Sequence, residues 1–295
     1  KDADVIVMAC GGNSGWVNVT GGEGKDRQYL DLPGVQQQLL EAVAATGKPV
    51  VLILYGPGVF AVNWADKHCG AIIQAFLPGP YAGKVIADAL DGSLNPGGKL
   101  TMTVPRTTGQ IPIYYNHRVG SGYNSGADAA ASIIFSGGYV DGPADPLYCF
   151  GHGLSYTSFA LSDLQLSVHE LPTNGKLEIS CKVKNTGDVT GDETVQLYTS
   201  FTDAHVTRPN MQLSGFCRLT LKPGEEKTVT FHLDMAQLGY YNEFMEFVVE
   251  PGKMNIMLGT SSCDIKLEDS VCLVGTATNV MGKRVYTCPV EVKQA

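Results

Sequence analysis

The stretch KPVVLILYG, residues 48–56, is an uninterrupted apolar run that ends at a glycine. A short run of this kind is typical of a β-strand buried on both faces, as the strands of a parallel sheet are. Three other segments repeat the pattern, and we interpret all four as strands of one parallel sheet: DVIVMAC (4–10), CGAIIQAFLPG (69–79) and GKLTMTVP (98–105).

Helices are predicted between these runs, over residues 31–47, 61–68 and 81–90. In the first, Asp31 can cap the helix, Pro33 suits its first turn and Gly47 ends it. The predicted inward faces are Val35, Leu39, Leu40, Val43 and Ala44 in the first helix, and Val85, Ile86 and Leu90 in the third. The resulting βαβαβαβ order implies right-handed crossovers and a sheet covered on both sides.

The second half of the chain changes to an alternation of period two. Four segments carry it: LEISCKVKNTG, ETVQLYTSF, KTVTFHLD and MEFVVEPGKMNIMLG. Turn signals such as NTGD and KPGEE separate them at the spacing of a small antiparallel β-sandwich. We therefore predict an α/β domain over residues 1–110, an ordered connecting segment over 111–156 and an all-β domain over 157–295.

Composition limits the classes of partner. The chain has 295 residues, 44% of them hydrophobic, and 21 Lys and Arg against 29 Asp and Glu, a net charge of −8. We expect a soluble globular protein with no nucleic-acid or membrane partner, and a neutral substrate fits the acidic balance better. No apolar run is long enough to span a membrane, and the first residues do not read as a signal peptide. A cytoplasmic location is therefore expected in preference to secretion, although no targeting region is visible.

The eight cysteines lie far apart, without a CxxC pair or a nearby histidine cluster. This spacing predicts no metal site and, by default, reduced thiols. The histidines His68, His117 and His152 are expected to be structural. The glycines of GGNSGW match neither phosphate-binding motif in register, so a nucleotide-binding protein is a distant alternative and no cofactor is expected.

The candidate chemistry lies in GGEGKDR, residues 21–27, within the loop that follows the first predicted strand. Ligands of parallel sheets bind beyond the carboxyl ends of the strands. Glu23, surrounded by glycines, is either a proton donor to a leaving oxygen or a solvated loop residue. Trp16 either stacks on a sugar face or packs, and Asp26 and Arg27 are interpreted as structural support for the loop.

Several longer motifs occur together in one order: GGEGKDRQYLDLPGVQQQLLEAV, KPVVLILYGPG, AIIQAFLPGPYAGKVIADALDGSLNPGGKLTMTVP, IPIYYNHR and PLYCFGHGLSYTSF. In order and spacing they resemble the C-terminal half of glycoside hydrolase family 3 β-glucosidases and β-xylosidases. The resemblance implies a partly parallel α/β sandwich domain followed by a fibronectin type III-like β-sandwich. It also assigns the general acid/base role to Glu23, because GEGKDR is similar to the family's Gly-Glu-Gly-x-Asp-Arg segment.

The same resemblance implies a retaining, exo-acting β-glycosidase, most simply a β-glucosidase, that hydrolyses terminal β-linked sugars. In the family the nucleophile and most sugar contacts lie on a (β/α)₈ barrel. The resemblance implies that this barrel and the first elements of the α/β domain are not part of this sequence. We therefore expect the barrel in cis or on another chain, a β-glucoside, related oligosaccharide or aryl glycoside as substrate, an oligomer, and no activity for the chain alone.

An alternative of another class remains open at this point. The chain could be a non-catalytic carbohydrate-binding or assembly fragment, in which the two domains only support oligomerisation. Exposed aromatic side chains such as Tyr114, Tyr115 and Tyr123 would serve either interpretation. Both interpretations predict the same fold. They differ in whether activity appears once the barrel is supplied.

Overall fold

A computed structural model describes residues 2–15, 17, 19–22, 24–118, 139, 141–201 and 203–294. The contacts among these residues divide the chain into two compact units. The first contains the described residues of 2–94, 103–113 and 139–148, and the second those of 95–102, 114–118 and 149–294. No helix in this described part is both long enough and apolar enough to cross a membrane.

The first unit is an α/β layer in which strands and helices alternate. Its elements are β1 (Ile6–Gly11), α1 (Gln36–Ala44), β2 (Val50–Tyr55), α2 (Asn63–His68), β3 (Ala71–Phe76) and α3 (Ala82–Asp91). The strands pair in parallel in the order β1-β2-β3, with Ile6 opposite Val50 and Val51 opposite Ala71. The prediction of a parallel sheet is confirmed for these three strands.

Burial differs between the strands of this sheet. The central strand β2 is buried almost throughout, and Leu52 is fully enclosed. On the edge strand β1, Met8 and Cys10 pack into the core, whereas Val7 on the opposite face is 49% exposed. The prediction that each apolar run is buried on both faces is therefore wrong for β1, because a single layer covers it among the described residues.

The predicted fourth strand, residues 98–105, does not form. The Leu100 N–H donates to the His152 carbonyl at 2.8 Å, and the Leu100 carbonyl accepts from the Gly151 N–H at 2.7 Å. An added Cβ on Gly153 would lie 2.1 Å from the Gly98 carbonyl oxygen. Gly153 of the FGHG motif thus lets two backbone segments approach each other, and the backbone groups of Leu100 are used there instead of in the sheet.

Helix α1 begins later than predicted. It starts at Gln36 rather than near Asp31, and no side chain caps it. Leu40 is fully buried, and Val43 and Ala44 pack against the same core. Val35 and Leu39 were predicted to face inward, but they are 68% and 54% exposed. The helix therefore contacts the core along a narrow row of side chains.

Helix α3 repeats this outcome. Its bounds lie within one residue of the prediction, and Gly92 ends it in the left-handed conformation, at φ 83°. Ile86 faces inward as predicted, whereas Val85 and Leu90 are 48% and 40% exposed. The predicted inward face is too wide in both helices.

The second unit is a β-sandwich. Its strands are β4 (Phe159–Leu166), β5 (Glu170–Pro172), β6 (Lys176–Asn185), β7 (Gly191–Phe201), β8 (Gln212–Leu221), β9 (Glu226–Asp234), β10 (Tyr240–Tyr241), β11 (Phe247–Val249), β12 (Gly252–Ser261), β13 (Asp264–Val274), β14 (Thr278–Asn279) and β15 (Val290–Gln294). One sheet has the order β5-β13-β12-β7-β8, the other β15-β9-β6-β4, and β10-β11-β14 form a small third sheet. Pairing is antiparallel except between β13 and β5. The predicted sandwich is confirmed.

The sandwich core follows the period-two alternation directly. Along β6, Leu177, Ile179, Cys181 and Val183 are fully buried, and the residues between them are exposed or half-buried. Asn185, which opens the NTGD turn, is also fully buried. Its amide donates to the carbonyls of Val189 and Leu221 at 2.8 and 2.9 Å, so the polar group is satisfied inside the core.

A disulfide joins Cys149 to Cys263, across a sequence separation of 114 residues. The expectation of reduced thiols is wrong for this pair. The turn between β12 and β13 brings Cys263 to Cys149, a proximity that sequence spacing does not reveal. The other six cysteines are free, and burial raises the pKa of the Cys181 thiol to about 12.

The aromatic residues of the connecting segment do not form one exposed set. Tyr114 is 62% exposed. Tyr115 instead stacks on Phe150 with ring centroids 4.3 Å apart, and its hydroxyl accepts from the Leu213 N–H at 3.2 Å. The interpretation of Tyr115 as exposed is therefore wrong, because its ring packs within the second unit. Tyr123 lies outside the described residues.

Candidate functional site

The candidate site is the segment that leaves the carboxyl end of β1. Gly11 closes the strand at φ 121°, and the Gly12 N–H donates to the Tyr55 carbonyl of β2 at 2.9 Å. An added Cβ on Gly11 would lie 1.8 Å from that same carbonyl oxygen. Only glycine fits this departure from the sheet, because the backbone of β2 occupies the space of a side chain.

The Gln36 side chain joins the start of this segment to helix α1. Its Oε1 accepts from the Gly11 N–H at 2.7 Å, and its Nε2 donates to the Gly11 carbonyl at 2.8 Å. One amide thus satisfies both backbone groups of the last residue of β1. Because Gln36 is the first residue of α1, the two ends of the intervening segment are fixed to each other.

Hydrogen bonds within the segment make it compact. The Asn13 carbonyl accepts from the Thr20 hydroxyl at 3.1 Å and from the Thr20 N–H at 3.2 Å. Further along, Gly22 and Lys25 each donate a backbone N–H to the other's carbonyl at 3.0 Å. These pairs hold the residues on either side of the acidic position in a defined path.

The two predicted substrate-contacting residues, Glu23 and Trp16, lie outside the described residues. The acid/base role of Glu23 and the sugar contact of Trp16 therefore remain predictions. Gly24, next to Glu23, has φ 65°, a left-handed conformation that favours glycine. The sequence expectation that the glycines give this segment unusual backbone freedom agrees with that value.

Arg27 and Asp26 follow at the end of the motif. The Arg27 guanidinium lies 4.4 Å from the centroid of the buried Phe60 ring and donates to the Asp31 carbonyl. Burial lowers the pKa of Arg27, and the nearby Asp31 carboxylate opposes that shift. Asp26 is exposed. These contacts anchor the segment at Arg27 to the Phe60 ring and to the backbone of Asp31.

An open cavity of about 390 Å³ lies beside the end of β1, between the segment and the sheet. Asn13, Thr20, Gln36 and Tyr55 contribute to its lining, together with Ala9, Cys10, Gly11 and Gly12. None of these lining residues is acidic or basic. The Asn13 amide, the Thr20 hydroxyl and backbone groups of this kind suit a neutral polar ligand better than an ionic one, whereas the Gln36 amide is engaged with the Gly11 backbone.

The described histidines His68 and His117 contact other side chains. The His68 ring stacks on Trp64 with centroids 4.4 Å apart, and His117 contacts the Asn210 amide at 3.3 Å. Within the described ranges, no three His, Cys, Asp or Glu side chains are grouped to hold a metal ion.

Sequence reasoning missed Gln36, because one glutamine among three at a helix start carries no specific signal.

Comparison with protein families identifies both units. The sequence model of the family described as "Glycosyl hydrolase family 3 C-terminal domain" matches residues 1–156, and that of the "Fibronectin type III-like domain" matches residues 193–262. The first match contains β1, the segment after it and all three helices of the α/β unit. The second lies within the β-sandwich.

Curated relatives agree with these matches. A periplasmic beta-glucosidase of Salmonella typhimurium is 39% identical over 267 residues, which are 90% of this chain and 34% of the relative. A beta-xylosidase of Formosa agariphila is 40% identical over 265 residues, with 89% and 34% covered. The chain therefore spans about a third of the length of the curated relatives that it matches.

Solved structures show the same relation. A beta-glucosidase from Listeria innocua, crystallised in complex with glucose, superimposes with a TM-score of 0.86 at 37% identity, covering 93% of this chain and 37% of that one. A mutant of the same enzyme, in complex with laminaribiose, gives a TM-score of 0.84 at 38% identity, covering 92% and 37%. The described fold thus corresponds to the C-terminal part of these enzymes.

Proposed function

Since the chain belongs to glycosyl hydrolase family 3, we propose that it supplies the general acid/base of a retaining, exo-acting β-glycosidase, most simply a β-glucosidase. The supporting observation is the segment after β1. It carries the GEGKDR motif, begins at the carboxyl end of a parallel strand and is fixed at both ends by Gln36.

The proposed chemistry gives Glu23 two successive roles. It protonates the leaving oxygen while a nucleophilic carboxylate attacks the sugar, and it then deprotonates the water that releases the glycosyl-enzyme. The two carboxyl groups of a retaining enzyme lie about 5 to 5.5 Å apart. We assign the nucleophile to a (β/α)₈ barrel portion, in cis or on another chain, so this chain alone is expected to be inactive.

The proposed substrates are β-glucosides, related oligosaccharides and aryl glycosides. The β-glucosidase and β-xylosidase names of the relatives support this class. Trp16, in the same segment as Glu23, is proposed to stack on a sugar face, and Asp26 and Arg27 to support the segment. We also propose that the protein forms an oligomer, because the α/β unit exposes the apolar side chains Val7, Val35 and Leu39, which favour association.

The compartment is part of the same proposal. Sequence analysis predicts a cytoplasmic protein, but the disulfide between Cys149 and Cys263 is of a kind that persists in oxidising compartments. One relative is named as periplasmic. We therefore favour an oxidising compartment over the cytoplasm, and alkylation of free thiols in freshly lysed native cells, followed by peptide mapping, tests it. Recovery of Cys149 and Cys263 in the alkylated, reduced form would contradict it.

A chimeric enzyme tests the catalytic proposal. This chain would replace the matched 267 residues of the Salmonella typhimurium β-glucosidase, so that the rest of that enzyme supplies the missing portion. The proposal predicts hydrolysis of an aryl β-glucoside by the chimera and none by the chain alone. A chimera that melts cooperatively but remains inactive would favour the non-catalytic carbohydrate-binding or assembly fragment.

Glu23→Ala in the chimera then tests the assigned role. Hydrolysis of an unactivated disaccharide should slow by roughly 10² to 10⁴, because proton donation is lost. Activated aryl glycosides should still form the glycosyl-enzyme quickly, and added azide should restore turnover and yield the β-glycosyl azide. Glu41→Ala is the matched control, since the Glu41 carboxylate accepts a hydrogen bond from Gln37 on the same helix, and it should behave like the unsubstituted chimera. Full disaccharide activity of Glu23→Ala would contradict the assignment.

A further inference from the structure

The side-chain amide of Gln36 binds the backbone of Gly11, the residue from which the candidate segment leaves β1. Its two hydrogen bonds, at 2.7 and 2.8 Å, reach across a sequence separation of 25 residues. Between the two residues lies the whole segment that contains Glu23. A pair of bonds at this place fixes where the segment starts and the direction in which it leaves the sheet.

From this geometry we infer that Gln36 is a positioning residue for the acid/base: it acts through the backbone of the Glu23 segment and does not touch the sugar. The inference rests on the proposed function of Glu23. A misplacement of about 1 Å in a reacting group can lower a rate by about 10²-fold. Gln36 is thus expected to affect catalysis more than folding.

The neighbouring glutamine shows why the role belongs to Gln36. The Gln37 amide donates to the Glu41 carboxylate at 2.7 Å, so its contact stays within one turn of α1. Both glutamines are half-buried and lie in the first turn of the same helix. Gln37→Met therefore changes side-chain chemistry and helix propensity as Gln36→Met does, without touching the backbone of β1.

Gly11 is held from two sides, by β2 on one side and by Gln36 on the other. Its conformation at φ 121° and the 2.9 Å bond from the Gly12 N–H to the Tyr55 carbonyl fix the strand end on its β2 side. On the other side, Gln36 receives the Gly11 N–H and donates to the Gly11 carbonyl. A methionine in place of Gln36 leaves both groups without that partner, and the start of the segment gains freedom on this side only.

Gln36→Glu introduces a carboxyl of the same shape as the amide. Its disaccharide activity should depend on pH in a way that a purely structural role of Gln36 does not predict. In Gln36→Glu, an ionised carboxylate accepts from the Gly11 N–H but repels the Gly11 carbonyl, whereas a protonated carboxyl both accepts and donates as the amide does. The ordinary glutamic acid pKa is about 4.3, so the protonated share of the introduced carboxyl grows as the pH falls towards that value. The disaccharide activity of Gln36→Glu, relative to Gln37→Glu, should therefore rise as the pH falls from 7 to 5.

The test uses the active chimera with Gln36→Met, Gln37→Met and Glu23→Ala. Gln36→Met should lower kcat on an unactivated disaccharide by roughly 10- to 100-fold with little change in KM, and lower it less on an activated aryl glycoside. Gln37→Met should match the unsubstituted chimera. The double variant Glu23→Ala/Gln36→Met should be no slower than Glu23→Ala alone, because Gln36 acts through Glu23.

Hydrogen exchange on the chain itself gives a second measurement that needs no activity. Gln36→Met should speed exchange in peptides that cover residues 11–22, and Gln37→Met should not. Normal disaccharide kinetics of Gln36→Met, an unchanged exchange rate, or a double variant slowed by the product of the single effects would each overturn the positioning role. A fully active Glu23→Ala would instead overturn the proposed function, so the two failures are distinguishable.

Discussion

The two units of the chain bury their apolar side chains to different degrees. In the β-sandwich, whole rows of side chains along β6, β7, β9 and β12 are fully enclosed between two sheets. Among the described strands of the α/β unit, β2 alone is buried almost throughout, while Val7 on β1 and Leu39 on α1 remain about half exposed. The sandwich is therefore stabilised by its own sheets, whereas the α/β layer presents apolar surface that a further layer could cover.

Separating the units tests this comparison with the largest expected effect. A fragment of residues 149–295, which keeps the disulfide and the sandwich, should unfold cooperatively and give dispersed amide shifts. A fragment of residues 1–94 should associate or lack a cooperative transition, because its exposed apolar side chains outweigh a small core. Light scattering and thermal melts of both fragments check this prediction. A monomeric, cooperative 1–94 fragment would remove the contrast.

A fragment that begins at Ser155 should be less stable than one that begins at Cys149. It lacks the disulfide and the hydrogen bond that the Ser262 N–H donates to the Phe150 carbonyl. Random-coil amide shifts for residues 155–295 would place the sandwich boundary further upstream.

Within the sandwich unit, the ion pair of Lys99 and Glu193 gives the next largest effect. Their charged atoms are 2.9 Å apart, and the side chains are only 14% and 8% exposed. Lys99→Met should lower the unfolding free energy by about 3 to 5 kcal/mol, because it leaves a buried carboxylate without its partner. Chemical denaturation of the whole chain at pH 7 measures this loss.

The control for that substitution lies in the α/β unit. Lys84 pairs with Asp88 on the surface of α3, and the Lys84 side chain is 73% exposed. Lys84→Met should leave the denaturation midpoint near that of the unsubstituted chain, since exposed pairs contribute little. Equal losses of unfolding free energy from Lys99→Met and Lys84→Met would show that burial does not make the ion pairs of the two units differ in strength.

Removal of the disulfide should follow in size. Cys263→Ser frees a connection that spans 114 residues, and the expected loss of unfolding free energy is about 2 to 4 kcal/mol. Cys272→Ser is the matched control, because Cys272 is an exposed free thiol in the adjacent strand β13. A Cys263→Ser variant as stable as Cys272→Ser would mean that the sheets alone carry the stability of the sandwich.

The smallest effect concerns Asp192 and its dependence on pH. The Thr220 hydroxyl and the Arg218 guanidinium donate to its carboxylate at 2.6 Å each, and these bonds lower the pKa of Asp192. A carboxyl whose pKa is lower in the folded state stabilises the fold above the unfolded pKa of about 3.9 and loses that contribution as the pH falls through the folded value.

Asp192→Asn should therefore cost about 0.5 to 1 kcal/mol at pH 7, a range that allows for solvent screening, and the difference should disappear near pH 2. Asp188→Asn, on the exposed turn before β7, is the control and should leave the unfolding free energy at pH 7 close to that of the unsubstituted chain. Urea denaturation at both pH values measures the difference. A loss that persists at pH 2 would mean that packing, rather than charge, explains the effect.

The sequence predicts the sandwich better than the α/β layer for a physical reason. Alternation along β6 is itself the burial pattern, because each side chain faces either the core or solvent. The segment of residues 98–105 is predicted to be a strand of the same sheet as β2, yet the Leu100 backbone pairs with residues 151 and 152. Hydrophobicity alone does not specify which backbone is the partner, and the close approach depends on Gly153.

The candidate site shows a similar limit. The GEGKDR motif identifies the segment, and the parallel sheet predicts that it lies beyond a strand's carboxyl end. Neither property indicates the contact of Gln36 with Gly11 or the packing of Arg27 over Phe60. These are long-range contacts of common residue types, so they become visible only when the chain is folded. The disulfide partner of Cys149 was missed for the same reason.

The central claim is that the α/β unit presents the Glu23 segment to a barrel portion, while the sandwich is complete without it. Hydrogen exchange of the isolated chain, compared with the same chain in the active chimera, tests this claim most directly. The account predicts at least tenfold slower exchange in the chimera for peptides of residues 5–27, and unchanged exchange for β6, whose apolar side chains are already enclosed. Equal rates for residues 5–27 in both proteins, or slowing confined to β6, would contradict it.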